Sequence, residues 1–140
     1  MKILYEAKAT ATGGRAGHTE TEDGTLSLDL SIPEGLGGPG GSGANPEQLF
    51  AAGYAACFLS AVKAAAPKQK VEIPEDAKVT SVVGIGRRDD GVGFKLCVRL
   101  TVELPGVERE QAEEVVRQAH EICPYSHAIK NNVDVDLGVV

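Results

Sequence analysis

The sequence predicts an α+β fold with mostly antiparallel sheet, and two observations predict it. Segments of alternating apolar and polar residues stand before and after two helical segments, instead of alternating with helices along the chain. Turn residues also join two adjacent strand segments closely enough for a hairpin. A length of 140 residues fits one domain spanning 1–140, with enough chain to bury an apolar core without disulfide or metal staples.

In chain order, Ile3 to Thr10 reads as a strand, and the glycines around Arg15 (Gly13, Gly14 and Gly17) read as a loop. Leu26, Leu28, Leu30 and Ile32 alternate with Ser27, Asp29 and Ser31, the period of a half-buried strand. A glycine-rich loop follows from Pro33 to Gly43. It lacks the Lys-Ser/Thr ending of a phosphate-binding loop, so nucleotide binding is rejected there. Asn45-Pro46-Glu47 is a helix start: Asn caps, Pro takes the first helical position, and an acid follows. That helix is expected to run to about Ala66 and stop before Pro67. It is apolar nearly all round, which predicts burial on every side, with a second subunit as a natural source of cover. Strands are expected over Lys78 to Arg87 and Phe94 to Glu103, turning at Asp89-Asp90-Gly91, with Phe94, Leu96, Val98, Leu100 and Val102 on one face. Glu108 to Ile122 reads as an amphipathic helix with Val115, Val116, Ala119 and Ile122 as its apolar stripe. Val133, Val135 and Leu137 mark a last strand.

Composition excludes several classes of function. A formal net charge of −6 argues against nucleic acid and anionic lipid as partners. With no tryptophan, three tyrosines and three phenylalanines, base-stacking platforms are not expected. The start, MKILYEAKAT, lacks the apolar run of a signal peptide. The longest apolar stretch, Leu49 to Val62, is shorter than a membrane span, so a cytoplasmic protein is expected.

Three cysteines invite chemistry more than structural pairing. Cys57 lies mid-helix among apolar residues, where a free cysteine is commonly a small buried hydrophobe. Cys123 closes the second helix, before Pro124-Tyr125-Ser126, and packing alone could account for it. Cys97 falls on the polar face of its strand and takes no role. His120, Cys123 and His127 are ligand types for zinc, but Pro124 interrupts the local helix and the paired spacings of structural zinc sites are missing, so no metal is expected. A hydrolase using Cys57 with His120 or His127 stays open on composition, although no nucleophile-elbow or oxyanion-hole motif is present. A non-catalytic binding protein is a third possibility.

The run from Asn45-Pro46-Glu47-Gln48-Leu49-Phe50 to Ala55-Ala56-Cys57-Phe58 resembles the signature of the organic hydroperoxide resistance proteins, within the larger Ohr/OsmC group. Ala119-His120 through Cys123-Pro124-Tyr125-Ser126 to Asn132-Val133-Asp134-Val135 resembles the second motif of that family, and the Gly-Gly-Arg15 loop resembles a third element. The likeness covers essentially the whole chain. It implies an OsmC-like fold: sheets wrapped around two central helices in an intertwined homodimer. It implies a thiol peroxidase that reduces organic and fatty-acid hydroperoxides. Cys57 would be the peroxidatic cysteine and Cys123 the resolving one, with Arg15 and Glu47 completing the catalytic site. No cofactor would be bound; a dihydrolipoyl group on a lipoylated protein would serve as dithiol reductant. The OsmC branch shares the two cysteines and is the nearest alternative.

Those roles make chemical demands. The thiolate is the nucleophile, and apolar burial raises a thiol's pKa, so Cys57 needs a cation. Arg15 is always charged, and Glu47 could hold its guanidinium in a two-bond pairing. Glu47 and Cys57 are ten residues apart, roughly 15 Å along a straight helix. Either the helix breaks, near Gly53 for instance, or Arg15 or Glu47 comes from the other subunit; a shared site is the expectation.

Overall fold

Three short strands come first: β1 (Ala9–Thr12), β2 (His18–Thr21) and β3 (Ser27–Asp29), antiparallel in the order β1-β2-β3. The structure, a computed structural model, describes all 140 residues. It comprises two compact units, Met1–Leu49 and Phe50–Val140, with the division inside helix α1 (Pro46–Ala65).

In the first unit the opening strand starts later than the sequence suggests. Ile3, Leu4 and Tyr5 are exposed and outside any strand, because nothing in this chain covers their side chains. β2 had no sequence signal, since His18-Thr19-Glu20-Thr21 contains no apolar residue to alternate. Of the run Leu26 to Ile32 only Ser27–Asp29 forms strand; Leu30 makes a single bridge to Ala44. The β1–β2 connection is a tight turn. Gly13 (φ +70°) and Gly14 (φ +57°) adopt left-handed backbone that carries Arg15 on one 3-10 turn, Gly14–Ala16. The ends of the long glycine loop are tied together: Ser31 N–H donates to the Ala44 carbonyl, Ala44 N–H to the Asp29 carbonyl, and Ser31 Oγ to the Gly43 carbonyl.

The second unit holds the sheet β4-β5-β6, formed by β4 (Lys78–Arg87), β5 (Phe94–Glu103) and β6 (Asp134–Val139). β4 and β5 make the hairpin anticipated at Asp89-Asp90-Gly91, with Asp90 accepting from Val92 N–H. β6 pairs parallel to β5, from Cys97↔Asp134 to Val102↔Val139. The parallel partner follows from the crossover through α2 (Arg109–Ile122) and α3 (Pro124–Ile129), which returns the chain in the same direction. Three of the four strand pairings are antiparallel.

One face of β5 (Val98, Leu100, Val102) meets Tyr54, Phe58, Ala61, Val62 and Ala65 of α1 and Ala112, Val115, Val116 and Ala119 of α2 in a single core. Two residues depart from their predicted places. Phe94 sits 54% exposed at the hairpin end, under the Arg87 guanidinium 5.5 Å from its ring centroid, and Ile122 is 47% exposed. α1 is not buried all round. Its core stripe is covered, while Ala52, Ala56, Ser60 and Ala64 face outward, because the sheet and α2 lie against one side only. The sequence estimate that no stretch is long enough for a membrane span also needs correction. Within the helical stretch Pro46–Gln69, an 18-residue window has a mean hydropathy of 1.5 and meets that test by length and composition. Its core stripe packed against sheet and helix is the pattern of a core helix.

Candidate active site

Asn45 and Gln48 close the start of α1 reciprocally. Gln48 N–H donates to Asn45 Oδ1 (2.9 Å), and Asn45 N–H donates to Gln48 Oε1 (3.0 Å). This capping box fixes the first turn, where Glu47 is the second helical residue. Arg15, presented by the glycine turn, donates to Glu47 through two parallel bonds, Nη1 to Oε2 at 2.8 Å and Nη2 to Oε1 at 2.7 Å. The side chains are 38% and 13% exposed. The Arg15 hydrogen bonds hold the Glu47 carboxyl below its ordinary pKa, and the Glu47 hydrogen bonds raise that of Arg15.

In the second unit two free sulfurs face each other. Cys57 Sγ, from the middle of α1, lies 3.6 Å from Cys123 Sγ, which is fully buried. A bonded pair would stand about 2.0 Å apart, so this is a dithiol in contact. Cys123 is the extended link (φ −68°, ψ 124°) between α2 and α3, the conformation favoured before a proline. Pro124 then opens α3, a helix that sequence reading missed; Pro at a first helical position was the available signal. Burial pushes the Cys57 thiol up; the Tyr125 N–H opposes this, and neighbouring Cys123 adds to it.

The surroundings are aromatic. Phe50, Tyr54, Phe58 and Tyr125 lie with centroids 5.8–6.2 Å apart in edge-on or tilted pairs. Tyr54 OH hydrogen-bonds Ser126 Oγ at 2.8 Å in the buried core. Burial raises the Tyr54 hydroxyl's pKa, so it keeps its proton. α1 runs unbroken through Gly53, which instead makes room for a ring: a Cβ there would stand 2.9 Å from Tyr125 Oη.

A family model described as OsmC-like protein matches residues 38–138. An organic hydroperoxide resistance protein of Xanthomonas axonopodis pv. citri (strain 306) is 48% identical over 136 residues, covering 97% of this chain and 94% of the relative. The chain belongs to the organic hydroperoxide resistance group of the OsmC family. Among solved structures, an organic hydroperoxide resistance protein from Legionella pneumophila superposes with TM-score 0.91 at 52% identity, covering 99% of this chain and 98% of that one. OhrB of Bacillus subtilis gives TM-score 0.89 at 45% identity, covering 99% of this chain and all of its own. The α+β architecture is thus the OsmC-like fold.

In this family member neither histidine nor Cys97 hydrogen-bonds the sulfur pair. The side-chain hydrogen-bonding neighbour of Cys57 is Cys123, and no histidine bonds it. His120 packs its ring near Phe58, with Nδ1 buried and unpartnered. His120, Cys123 and His127 do not converge into a ligand set. Cys97 is exposed on the outer face of the sheet, opposite Gly84.

Proposed function

We propose that this protein is a cysteine-based peroxidase that reduces organic hydroperoxides, fatty-acid hydroperoxides included, to alcohols. The observation that carries the reading is the pair of free sulfurs 3.6 Å apart, one partly accessible and one buried. The similarity to proteins named for organic hydroperoxide resistance supplies the substrate class.

The Cys57 thiolate attacks the distal oxygen of ROOH. The O–O bond breaks, the alkoxide takes up a proton and leaves as ROH, and Cys57 becomes a sulfenic acid. Cys123 then attacks that sulfur. The S–S bond forms as the S–O bond breaks, and hydroxide leaves with the Cys123 proton as water. Two thiols of a dihydrolipoyl group, carried by a lipoylated protein, reopen the disulfide by exchange. The aromatic side chains near Cys57 suit an alkyl chain.

Burial leaves Cys57 short of a stabilising cation, which supports Arg15 as the charge that favours the thiolate and the departing oxyanion, with Glu47 holding the guanidinium in orientation. The reading carries a cytoplasmic homodimer with the site shared between subunits. An unbroken α1 and its uncovered small-residue face support it.

The test is turnover of cumene hydroperoxide with dihydrolipoamide by wild type, Cys57→Ser and Cys123→Ser. Wild type should cycle, Cys57→Ser should leave the peroxide intact, and Cys123→Ser should react once and stop short of the disulfide. A fully reduced wild type that consumes no peroxide would sink the proposal.

A further inference from the structure

Ser126 is the buried polar residue in a core otherwise built of apolar side chains and the Tyr54 ring. Phenylalanine at 54 and alanine at 126 would fill the same places with no polar group to satisfy, so packing alone does not call for this hydrogen bond. Its location is informative. Tyr54 is three residues before Cys57 on α1, and Ser126 three residues after Cys123 on α3, so each bonding partner is about one helical turn from a sulfur. The chain leaves α2 at Ile122 and passes through an extended Cys123, so α2 alone does not set where that sulfur points. What seats α3 on α1 is its own contacts: the Tyr125 ring beside Gly53 and the buried Tyr54–Ser126 bond of 2.8 Å.

We propose that Tyr54 and Ser126 are positioning residues for the thiol pair: their hydrogen bond holds α3 in the register that brings Cys123 Sγ to Cys57 Sγ, so that the disulfide closes before Cys57 is oxidised a second time. The inference rests on the peroxidase reading above. A Cys57 sulfenic acid has two fates. Cys123 can displace its oxygen as water, forming the disulfide, or a second ROOH can transfer an oxygen to it, giving the sulfinic acid and ROH. The first is intramolecular, and its rate follows the effective concentration of Cys123 at Cys57. Loosening α3 therefore shifts the product from disulfide to sulfinic acid.

The test uses the full-length protein as wild type, Tyr54→Phe, Ser126→Ala and the double variant. The Cys57–Cys123 disulfide is equilibrated against reduced and oxidised glutathione. Reduced protein is separately treated with excess cumene hydroperoxide and its products are read by intact mass. Each single variant should lower the disulfide equilibrium constant roughly tenfold, the scale of one lost buried hydrogen bond. The double variant should fall no further, because both substitutions remove the same bond. Sulfinic acid at Cys57 should rise in parallel. Equilibria unchanged from wild type in the single variants overturn the proposal, and so do losses that add in the double variant, which would mark two separate packing defects. If Ser126→Ala does not fold, Tyr54→Phe, which keeps the ring, decides. The glutathione equilibrium involves no peroxide. A wild type that ignores cumene hydroperoxide while the variants show the losses keeps the positioning role and removes the peroxidase reading; an active wild type with unchanged equilibria does the reverse.

Discussion

Cys57 carries a conflict that its own unit does not resolve. A nucleophilic sulfur needs to ionise, and burial works against that more than the Tyr125 N–H works for it. If Arg15 supplies the missing charge, Arg15→Gln should move the pH midpoint of Cys57 alkylation upward, leaving less thiolate at any given pH. Iodoacetamide kinetics against pH would read this; an unmoved midpoint removes Arg15 from that role. Glu47 gives a second pH signature. Its folded-state pKa is lowered, chiefly by the Arg15 hydrogen bonds, so the folded state binds fewer protons there than the unfolded chain. That stabilisation is fully present above the ordinary glutamate value of about 4.3 and is lost as pH falls through the lowered folded value. Urea unfolding across this acidic range should show a shallower loss of stability for Glu47→Gln than for wild type.

At the scale of elements, the start of α1 and the seat of α3 matter most. The capping box makes two reciprocal bonds, so Asn45→Ala should cost about 1 kcal/mol in urea unfolding. Gly53 in mid-helix is expensive by propensity, and replacing it with alanine on an open helix would stabilise by up to about 1 kcal/mol. Here the new Cβ would meet the Tyr125 ring, at 2.9 Å from Oη and 3.2 Å from Cε2. Gly53→Ala should therefore bring no gain in the wild type but should stabilise a Tyr125→Ala background, a difference that a double-mutant cycle measures.

For the whole molecule, the outward face of α1 presents small side chains with no cover from this chain. With the homodimer proposed above, sedimentation should give twice the chain mass at working concentration. A folded monomer with full peroxidase activity would remove the shared site.

Local chemistry made much of this protein legible in its sequence. The alternation from Phe94 to Glu103, the turn at Asp89-Asp90-Gly91 and the capped start at Asn45 each state a local preference strongly enough to survive folding, and their elements stand where the residues indicated. Arg15 among glycines, Glu47 in a first helical turn and the two cysteines were visible locally, but their roles came from the family resemblance. Other features were not legible, because they depend on residues far apart in the chain. β2 has no apolar period and exists through its two strand neighbours. Ile122 and Phe94 follow the periodicity, yet the core ends before it reaches them. The Tyr54–Ser126 bond joins residues 72 apart, and the 3.6 Å approach of Cys57 to Cys123, 66 apart, was implied by the family resemblance and by no local pattern. Sequence by itself determined which residues had the chemistry to act. Tertiary structure alone decided which of them meet, because a hydrogen bond or a sulfur contact forms only after the core has set the distance.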